Sequence, residues 1–426
     1  MLAEIHRNVR HNFVVSVLDG VFFGFGLGFA SSVTVIPLFV NSLTDSTLLI
    51  GLIASIQTIG WQLPQLLMAG RVARLRRYKP LTVLMSFHER WPFFGLALVA
   101  WSLPALGPQM TLVLTYALLI WQALGGGFTA TAWQSMTGKI MPPNRRGTFW
   151  GIQGAGVNLM TSLGAVIAGL LLAALSSPLD YSLCFLLAGL FMLVSWAFLA
   201  MTREPENPAE SVAPSHHKSR HSLAAILRSD TNFRWFLAAR IFAQIAWTAI
   251  SFYTIYAVRH FGMDERTAGW MTGLLALTHM VASPLVGAAG DRWGHRFVFT
   301  AGALLMAASA LLALAAPELG WFFIVFGLAG IFNAINWTTT LAMTVEFGTE
   351  SQRPLYIGLA NTLVGPASLL APIAGGWLAE TFGFQTTFLM SAISGLLTAA
   401  ALMKMRPHQA AANATSPARV AAYLEK

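Results

Sequence analysis

Gly290-Asp291-Arg292-Trp293-Gly294-His295-Arg296 is a short polar segment between two long apolar segments. An apolar segment of about 20 residues is long enough to cross a bilayer as a helix. A loop this short must return the chain directly into the membrane, and a glycine within it suits a tight turn. The sequence therefore predicts a helical membrane protein with a hairpin of two spans at this point.

The composition supports a membrane protein. Of the 426 residues, 56% are hydrophobic and only 10% are charged, whereas soluble domains are about 25% charged. The net charge is +9, but the basic residues lie in short loops on one side of the predicted spans, as the positive-inside rule describes, so a nucleic-acid partner is not expected. The N-terminus has no short apolar core with a small-residue cleavage site, so no signal peptide is predicted. The only cysteine, Cys184, lies in an apolar run, which excludes disulfides and thiolate metal sites.

The chain contains twelve apolar runs of spanning length. They lie at about 13–40, 47–69, 81–103, 110–135, 148–175, 181–201, 233–258, 267–289, 297–316, 319–343, 355–379 and 385–405. Apart from Arg259 and Arg266, the loops on the less basic side carry only acids: Asp45, Asp180, Glu318 and Glu380. We therefore predict a multi-pass protein of the cell inner (plasma) membrane with both termini in the cytoplasm.

This order divides the chain into four parts. We predict an N-terminal six-helix bundle at 1–201, a cytoplasmic linker at 202–232, a C-terminal six-helix bundle at 233–406 and a cytoplasmic tail at 407–426. The linker contains His216-His217-Lys218-Ser219-Arg220-His221, but without acidic or cysteine partners at ligand spacing we favour a solvated linker over a metal site. Leu223-Ala224-Ala225-Ile226-Leu227 predicts a short surface helix after it.

The two halves repeat. The stretch from Arg145-Arg146 through Gly151 to Gly169 aligns without gaps on the stretch from Gln352-Arg353 through Gly358 to Gly376, at an offset of 207. Duplicated six-helix halves are typical of secondary transporters, whose site lies between the halves near the midplane.

The pattern Gly287-x-x-x-Asp291-Arg292-x-Gly294-x-Arg296, preceded by Pro284, resembles the loop between the second and third helices of each half in the major facilitator superfamily. With the span count, the orientation and the duplication, the resemblance covers the chain from about Asn12 to Arg406. It implies an all-α membrane protein of twelve transmembrane helices in two pseudo-symmetric six-helix bundles. The copy Ala371-Pro372-x-x-Gly375-Gly376 also resembles, incompletely, a motif of the fifth helix that is best known from antiporters.

The resemblance assigns a role to Asp291. In the family this acid caps the start of a helix in the opposite half and helps to hold the transporter closed to the cytoplasm. A carboxylate at a helix N-terminus is favourable by about 0.3–1 kcal/mol. In the counterpart at Gly70–Lys79 the acid is absent, and Arg74, or Arg71 in another register, takes its place. We predict that only Asp291 acts as this latch, against the start of the fifth helix near Arg145-Arg146-Gly147. The predicted gating loop consists of Gly287, Asp291, Arg292, Gly294 and Arg296.

The third span contains His88-Glu89-Arg90, and charges in lipid are functional candidates because they cost several kcal/mol. Glu89 lies about 12 Å inside the span, close to the middle of the bilayer. Sequence neighbours point about 100° apart, so we expect Glu89 and Arg90 to pair with other helices rather than with each other. In the superfamily the third helix is normally peripheral to the cavity, which favours a structural charge network over a direct transport role.

Three further ionisable residues lie inside spans. Asp19, about 9 Å inside the first span, is the candidate proton acceptor, because the first helix lines the cavity in this family and a carboxyl withdrawn from water can carry a proton. It could instead be a structural partner of Arg90 or Arg240, or a gate residue. Arg240 could clamp an anionic substrate or pair with Asp19. His279 could titrate near pH 7 or serve as a hydrogen-bonded packing residue.

The resemblance to the superfamily implies that the first, fourth, seventh and tenth helices line the transport path. Polar and aromatic residues recur on one face of each of these helices, and polar atoms in lipid need partners, so these faces are expected to point inward. The predicted cavity residues are Phe25, Gln122, Thr129, Trp133, Gln244, Trp247, Ser251, Asn333, Asn336 and Trp337.

Aromatic rings with amide and hydroxyl groups suit a neutral or amphipathic organic molecule. We therefore predict a secondary active transporter that works by alternating access, with proton-coupled efflux of a small hydrophobic or amphipathic compound. The alternatives are uptake of a sugar, nutrient or organic anion, and a transporter-like assembly factor without transport. An enzyme is not expected, because no nucleophile and base lie at paired spacing and no Gly-x-x-x-x-Gly-Lys loop is present. We expect no cofactor, and a monomer in the lipid bilayer.

Overall fold

The computed structural model describes residues 2–44, 46–207 and 223–406. The His216–His221 cluster and the tail 407–426 lie outside the described residues. Ten of the described helices are long and apolar enough to cross a membrane. One of them, Leu103–Ile140, has a kink near its start at Gly107, whose φ of 73° is not helical.

The helices are numbered here by membrane crossing. Span 1 is Leu2–Phe29 followed by Val35–Asn41, span 2 is Thr47–Gln62 with Pro64–Val72, span 3 is Lys79–Arg90 with Pro92–Trp101, span 4 is Leu103–Ile140, span 5 is Arg146–Ala174 and span 6 is Leu179–Ala200. After the short helix Leu223–Ser229, span 7 is Thr231–Phe261, span 8 is Glu265–Trp293, span 9 is His295–Ala315, span 10 is Trp321–Thr344, span 11 is Arg353–Phe382 and span 12 is Phe384–Met403.

Spans 2 and 3 are each interrupted by a proline. Leu63 and Trp91, the residues before Pro64 and Pro92, keep helical backbone angles. A proline has no N–H, so one helical hydrogen bond is missing at each junction while the direction of the chain continues. Each pair of helices therefore makes one membrane crossing. With the ten helices of spanning length, they give the predicted twelve-span, all-α fold.

Span 1 differs from the single crossing predicted at 13–40. Its helix already begins at Leu2, so the basic leader is helical, and it ends at Phe29. The Ser31 hydroxyl then accepts hydrogen bonds from the amides of Val33 and Thr34 at 3.3 and 3.2 Å. Such local side-chain bonds compete with the helical pattern, and a second helix begins only at Val35.

The hairpin between spans 8 and 9 is tighter than predicted. Span 8 continues through Trp293 and span 9 begins at His295, so Gly294 alone makes the turn. Gly294 has φ 92°, a left-handed conformation that glycine adopts without steric cost.

The twelve spans form two six-helix bundles. In the first, span 1 packs against spans 5 and 6, and span 3 packs against span 4. In the second, span 12 packs against spans 7 and 9, and span 10 packs against spans 8 and 9. The bundles meet along two seams, where span 5 contacts span 8 and span 2 contacts span 11. The predicted surface helix is present, and Ile226 anchors it in the core of the second bundle.

Candidate functional site

A cavity of about 400 Å³ lies at the meeting of the two bundles. Spans 1, 3, 4 and 5 form most of its wall, with Trp61 of span 2 and Leu199 of span 6. Among the described residues, the second bundle contributes His279 of span 8 and Trp337 of span 10. The predicted site residues in the wall are Asp19, Glu89, Arg90, Thr129, Trp133, His279 and Trp337.

Arg90 is the centre of a buried charge cluster in this wall. Its Nη2 lies 3.4 Å from Asp19 Oδ1, and its Nη1 lies 3.4 Å from Glu89 Oε2. Ser195 donates to Asp19 Oδ1 at 2.6 Å and accepts from Arg90 Nη2 at 3.0 Å. The expectation that Glu89 and Arg90 do not pair is therefore wrong, because two long side chains can bend toward each other even where their Cβ atoms diverge. Of the two arginines considered as partners of Asp19, Arg90 is the one in contact with it.

The protein occupies the remaining donors of the Arg90 guanidinium. Nε donates to the carbonyl of Met192 at 3.1 Å, and Nη1 donates to the carbonyl of Ser86 at 3.1 Å and to the Ser86 hydroxyl. The cluster holds two carboxyl groups against one guanidinium, so it carries one negative charge when both acids are ionised.

Span 3 is not peripheral to the cavity, contrary to the expectation from the family. Ser86, Glu89 and Arg90 all lie in the wall. His88, on another face of the same helix, is exposed, and its ring lies 6.4 Å from that of Trp121. His88 therefore does not belong to the charge cluster.

Three successive glycines allow span 4 to approach its neighbours closely. A Cβ atom on Gly125 would lie 2.8 Å from the backbone nitrogen of Glu89, and one on Gly127 would collide with the carbonyl of Gly60. This close packing brings the Glu89 carboxylate within 3.0 Å of the Cβ position of Gly126. The glycines thus place Glu89 in the wall of the cavity.

Arg240 lies outside the cavity, in a polar seam between spans 2, 4, 7 and 11. It donates to Asn361 Oδ1 at 3.0 Å, and Asn361 donates to Gln65 Oε1 at 2.6 Å and to Gln134 Oε1 at 3.4 Å. Arg240 is therefore bonded to an amide rather than to Asp19. Gln244 lies in the same seam and donates to the hydroxyl of Ser368 at 2.6 Å.

The other predicted cavity residues lie elsewhere. Phe25 packs edge-on against Phe29 and at a tilt against Phe191, Gln122 accepts a hydrogen bond of 2.8 Å from Gln57, and Trp247 packs on Phe332. Ser251 is exposed, and Asn333 and Asn336 are half-buried outside the wall. Helical periodicity groups residues on one face, but it does not distinguish a face that lines a cavity from one that packs on a neighbouring helix.

Asp291 contacts the start of span 5, as predicted. Its Oδ1 accepts from the amide of Gly147 at 2.8 Å and its Oδ2 accepts from the amide of Thr148 at 2.7 Å. The side chain is only 8% exposed. A carboxylate here satisfies two of the unpaired N–H groups of a helix start and lies at the positive end of the helix dipole.

The rest of the gating loop supports this contact. Gly287 lies against Gly147, where a side chain on either residue would collide with the other backbone. Arg296 donates to the carbonyl of Met405, and the exposed Arg292 lies over the ring of Trp293 at 5.9 Å. The loop is thus anchored to span 5 through Gly287 and Asp291 and to the end of span 12 through Arg296.

The first half has a different arrangement at its Arg71–Lys79 loop. Glu204, which follows span 6, accepts from the amides of Tyr78 and Lys79 at 2.9 and 2.7 Å, at the start of span 3. Lys139 at the end of span 4 donates to the same carboxylate at 2.9 Å, and the Lys139 and Glu204 side chains are both fully buried. A carboxylate from after span 6 therefore caps a helix start beside the loop that lacks its own acid.

The strap, residues Thr202–Asn207, holds this carboxylate in place. Asn207 bonds to the carbonyls of Leu75 and Arg76, each at 2.9 Å, and Lys79 Nζ donates to the carbonyl of Thr202 at 2.7 Å. The strap was not predicted from the sequence, although a lysine close to the end of an apolar run, Lys139, indicates a buried acidic partner.

Tyr78 connects the strap to the second half. Burial raises the pKa of its hydroxyl above the usual value, so the group stays protonated and donates to the carbonyl of Glu350 at 3.2 Å. This bond joins the loop before span 3 to the loop before span 11.

Residues 80–264 and 236–425 match the model of the Major Facilitator Superfamily. The chain belongs to the Major Facilitator Superfamily. Its expected twelve-helix architecture and the expected family resemblance are therefore confirmed.

Among curated superfamily relatives, a stretch of 129 residues is 29% identical to the multidrug transporter protein MdtP of Bacillus subtilis (strain 168). A stretch of 142 residues is 29% identical to multidrug resistance protein 1 of the same organism. These stretches cover 30% and 32% of this chain and span only 24% and 36% of the relatives' own lengths.

Solved superfamily structures match over nearly the whole chain. The E. coli fucose:proton symporter FucP superposes with a TM-score of 0.76 at 16% identity, covering 93% of this chain and 98% of that one. A bacterial homologue of the iron transporter ferroportin, in an outward-facing state, superposes with a TM-score of 0.70 at 16% identity, covering 92% and 98%. At these identities the similarity concerns the fold alone.

This superfamily transporter is closed on its basic side, the side that contains the Arg71–Lys79 loop and Arg292–Arg296. The contacts of Asp291 with Gly147 and of Tyr78 with Glu350 join the two halves at that surface. Asn361 and Gln65 join them deeper in the membrane. Movement of the halves toward the opposite state must break these bonds.

Proposed function

We propose that the protein exports a small hydrophobic or amphipathic organic compound in exchange for protons. The observation that carries this proposal is the composition of the cavity wall, where aromatic rings adjoin a cluster of two carboxyl groups and one guanidinium. A volume of about 400 Å³ is within the usual range for sites that bind small organic molecules.

The apolar part of the wall suits the body of such a compound. Phe23, Trp61, Trp133 and Trp337 contribute rings, and Leu27 contributes an aliphatic side chain. Aromatic side chains provide large apolar contact areas and attract cations to their faces. These groups suit an inorganic ion or a polyanion poorly.

The polar part of the wall favours a substrate that carries N–H groups or a positive charge. Gln153 and Asn158 each donate one amide hydrogen to a carbonyl, of Ser16 and Gly154 respectively, at 2.7 and 2.8 Å, and each side chain also carries an oxygen that can accept. The protein already occupies the donors of Arg90, so this residue does not offer a free clamp for an anion. The excess carboxyl group of the cluster also favours a cation.

The same cluster supports proton coupling. Asp19 and Glu89 share one guanidinium, so one of them can take up a proton without leaving a buried cation unpaired. Binding of a cationic substrate and uptake of a proton would both neutralise the excess negative charge. The cluster therefore gives a physical reason for exchange of the two.

Export also requires that the protein have a defined orientation in the membrane. The basic side of the protein corresponds to the cytoplasm under the positive-inside rule, which would place both termini there and the protein in the cell inner (plasma) membrane. The two Bacillus subtilis relatives are named as a multidrug transporter and a multidrug resistance protein, and the matched stretches of this chain support the proposed export to that extent.

Transport in inside-out vesicles tests the proposal, with ethidium as an aromatic cationic probe. Wild-type vesicles are expected to accumulate ethidium when the lumen is acidic and to stop when nigericin collapses the pH gradient. Asp19→Asn is expected to lose gradient-driven accumulation and to retain ethidium counterflow. Ethidium accumulation that does not depend on the pH gradient, or that persists in both the Asp19→Asn and the Glu89→Gln variant, would contradict proton exchange.

A further inference from the structure

His279 lies where the seam between spans 5 and 8 opens into the cavity. The two antiparallel helices touch at Gly147 with Gly287 and, one turn further, at Gly151 with the carbonyl of Ser283. One more turn along span 8 is His279, which lines the cavity together with Gly154 and Asn158 of span 5. Glycine contacts therefore close the seam between spans 5 and 8 as far as His279, where the wall of the cavity begins.

The imidazole of His279 has an unused polar atom. The residue is 8% exposed, and within the described part of the chain its Nε2 has no hydrogen-bond partner. A buried polar atom without a partner costs about 1–3 kcal/mol. A histidine that only packed between helices would be expected to find a partner, as Ser283 does on the carbonyl of His279 at 2.7 Å.

We propose that His279 is the hydrogen-bonding contact of the second half with the substrate, and that it selects aromatic compounds carrying an N–H group. This inference rests on the proposed function, since it requires the cavity to be the transport site. Nε2 of a neutral imidazole accepts a hydrogen bond when Nδ1 carries the proton. Trp337, the other described wall residue from the second half, provides an aromatic ring in the same cavity.

The position of His279 gives this contact a role in transport. Span 8 carries both His279 and Asp291, which are separated by about 18 Å along the helix at a rise of 1.5 Å per residue. A substrate held by His279 and by the cluster of span 3 bridges the two halves. Rearrangement of the halves must break this bridge. Because span 8 carries both the substrate contact at His279 and the latch at Asp291, movement of this one helix affects both.

The test compares two aromatic cations on purified wild-type protein and on His279→Phe. Ethidium carries two aryl amines, whereas tetraphenylphosphonium has no hydrogen-bonding hydrogen. We expect His279→Phe to raise the Kd of ethidium roughly three- to tenfold, the range for one lost hydrogen bond, and to leave the Kd of tetraphenylphosphonium unchanged. The ligand-free variant should melt at or above the wild-type temperature, because Nε2 of the imidazole has no partner to lose within the described part of the chain.

His88→Phe is the matched control, since it makes the same change at an exposed histidine outside the wall, and it should alter neither affinity. His279→Gln keeps an acceptor oxygen and should retain most ethidium binding, which also serves if the phenylalanine variant does not fold. Equal weakening of both cations, or unchanged ethidium binding in His279→Phe, would overturn the role of His279 while leaving the transport site intact. Failure of the wild type to bind either cation would instead overturn the proposed function and this inference with it.

Discussion

The carboxylate of Asp291 and the backbone amide of Gly147 lie 2.8 Å apart and join the two halves of the transporter. The second oxygen of the same carboxylate binds the amide of Thr148 at 2.7 Å. One side chain in the second half thus caps a helix that begins in the first. The basic side cannot open without leaving these amides and this acid to find other partners.

Asp291→Asn is expected to weaken closure of the basic side. The amide keeps one acceptor oxygen but loses the charge that interacts with the helix start, which is worth about 1 kcal/mol, or roughly a fivefold change in the ratio of open to closed protein. The native Cys184 is buried, so labelling reports on an introduced thiol. Ala342→Cys places that thiol in the core between the halves, where it becomes accessible when the basic side opens. Its labelling by a polar maleimide from the basic side should become faster by about that factor.

Asp264→Asn is the control for this measurement. Asp264 caps the start of span 8 itself, accepting from the amide of Thr267 at 3.0 Å, on the opposite side of the membrane. It should leave the labelling rate unchanged. Equal labelling in wild type and Asp291→Asn would show that the cap does not control opening.

Arg90→Gln is expected to destabilise the first bundle strongly. It leaves Asp19 and Glu89 buried beside each other without a cation, and loss of one partner from a buried ion pair costs about 3–5 kcal/mol. The double variant Asp19→Asn with Arg90→Gln removes one of the stranded charges and should recover part of the loss. Melting temperatures in detergent measure the cycle, and purely additive effects would show that the pair is not coupled.

Glu204→Gln is expected to loosen the strap. Lys139 would keep a buried charge with a neutral partner, and the predicted loss is again about 3–5 kcal/mol of unfolding free energy. Glu206→Gln is the matched control two residues away, because its pair with Arg77 is more than half exposed and exposed pairs contribute about 0–1 kcal/mol. Thermal melting should separate the two variants clearly, and similar melting temperatures would contradict a structural role for the buried pair.

Gly125→Ala is expected to impair ligand binding as well as stability. The added methyl group would meet the backbone of Glu89 at 2.8 Å, which cannot yield as a flexible side chain could, so span 3 must move away from span 4. Gly169→Ala provides the comparison, since its added methyl group meets open space. The affinity for ethidium and the melting temperature should both fall in Gly125→Ala and stay unchanged in Gly169→Ala. If the two variants behaved alike, the close contact at Gly125 would not shape the cavity.

The sequence was sufficient to predict the twelve spans, the duplication and the position of Asp291. Each depends on a pattern that is local or repeated: length of apolar runs, charge in loops, or a short motif around Gly294. The break in span 1 depends on the local hydrogen bonds of Ser31, and the one-residue turn between spans 8 and 9 depends on the backbone angle of Gly294. Both were therefore harder to predict.

The cavity was only partly predictable. Asp19, Thr129 and Trp337 were expected there, because polar groups inside spans must face protein or solvent. Glu89 and Arg90 were expected to lie away from it, since their position depends on how far the Gly125–Gly127 stretch lets span 4 approach span 3. The bond between Arg240 and Asn361 and the strap with Glu204 involve residues more than a hundred positions apart, which no local pattern reveals.

The strap also determines where the polypeptide can be divided. Thr202–Asn207 is bonded to the loop before span 3, so the first six crossings carry their own closing segment with them. A gene split between the codons for residues 207 and 223 would therefore yield two polypeptides, each of which keeps the contacts within its own half among the described residues. Assembly of the two polypeptides in one membrane would then measure the free energy of the contacts at the two seams, because no covalent link joins the halves.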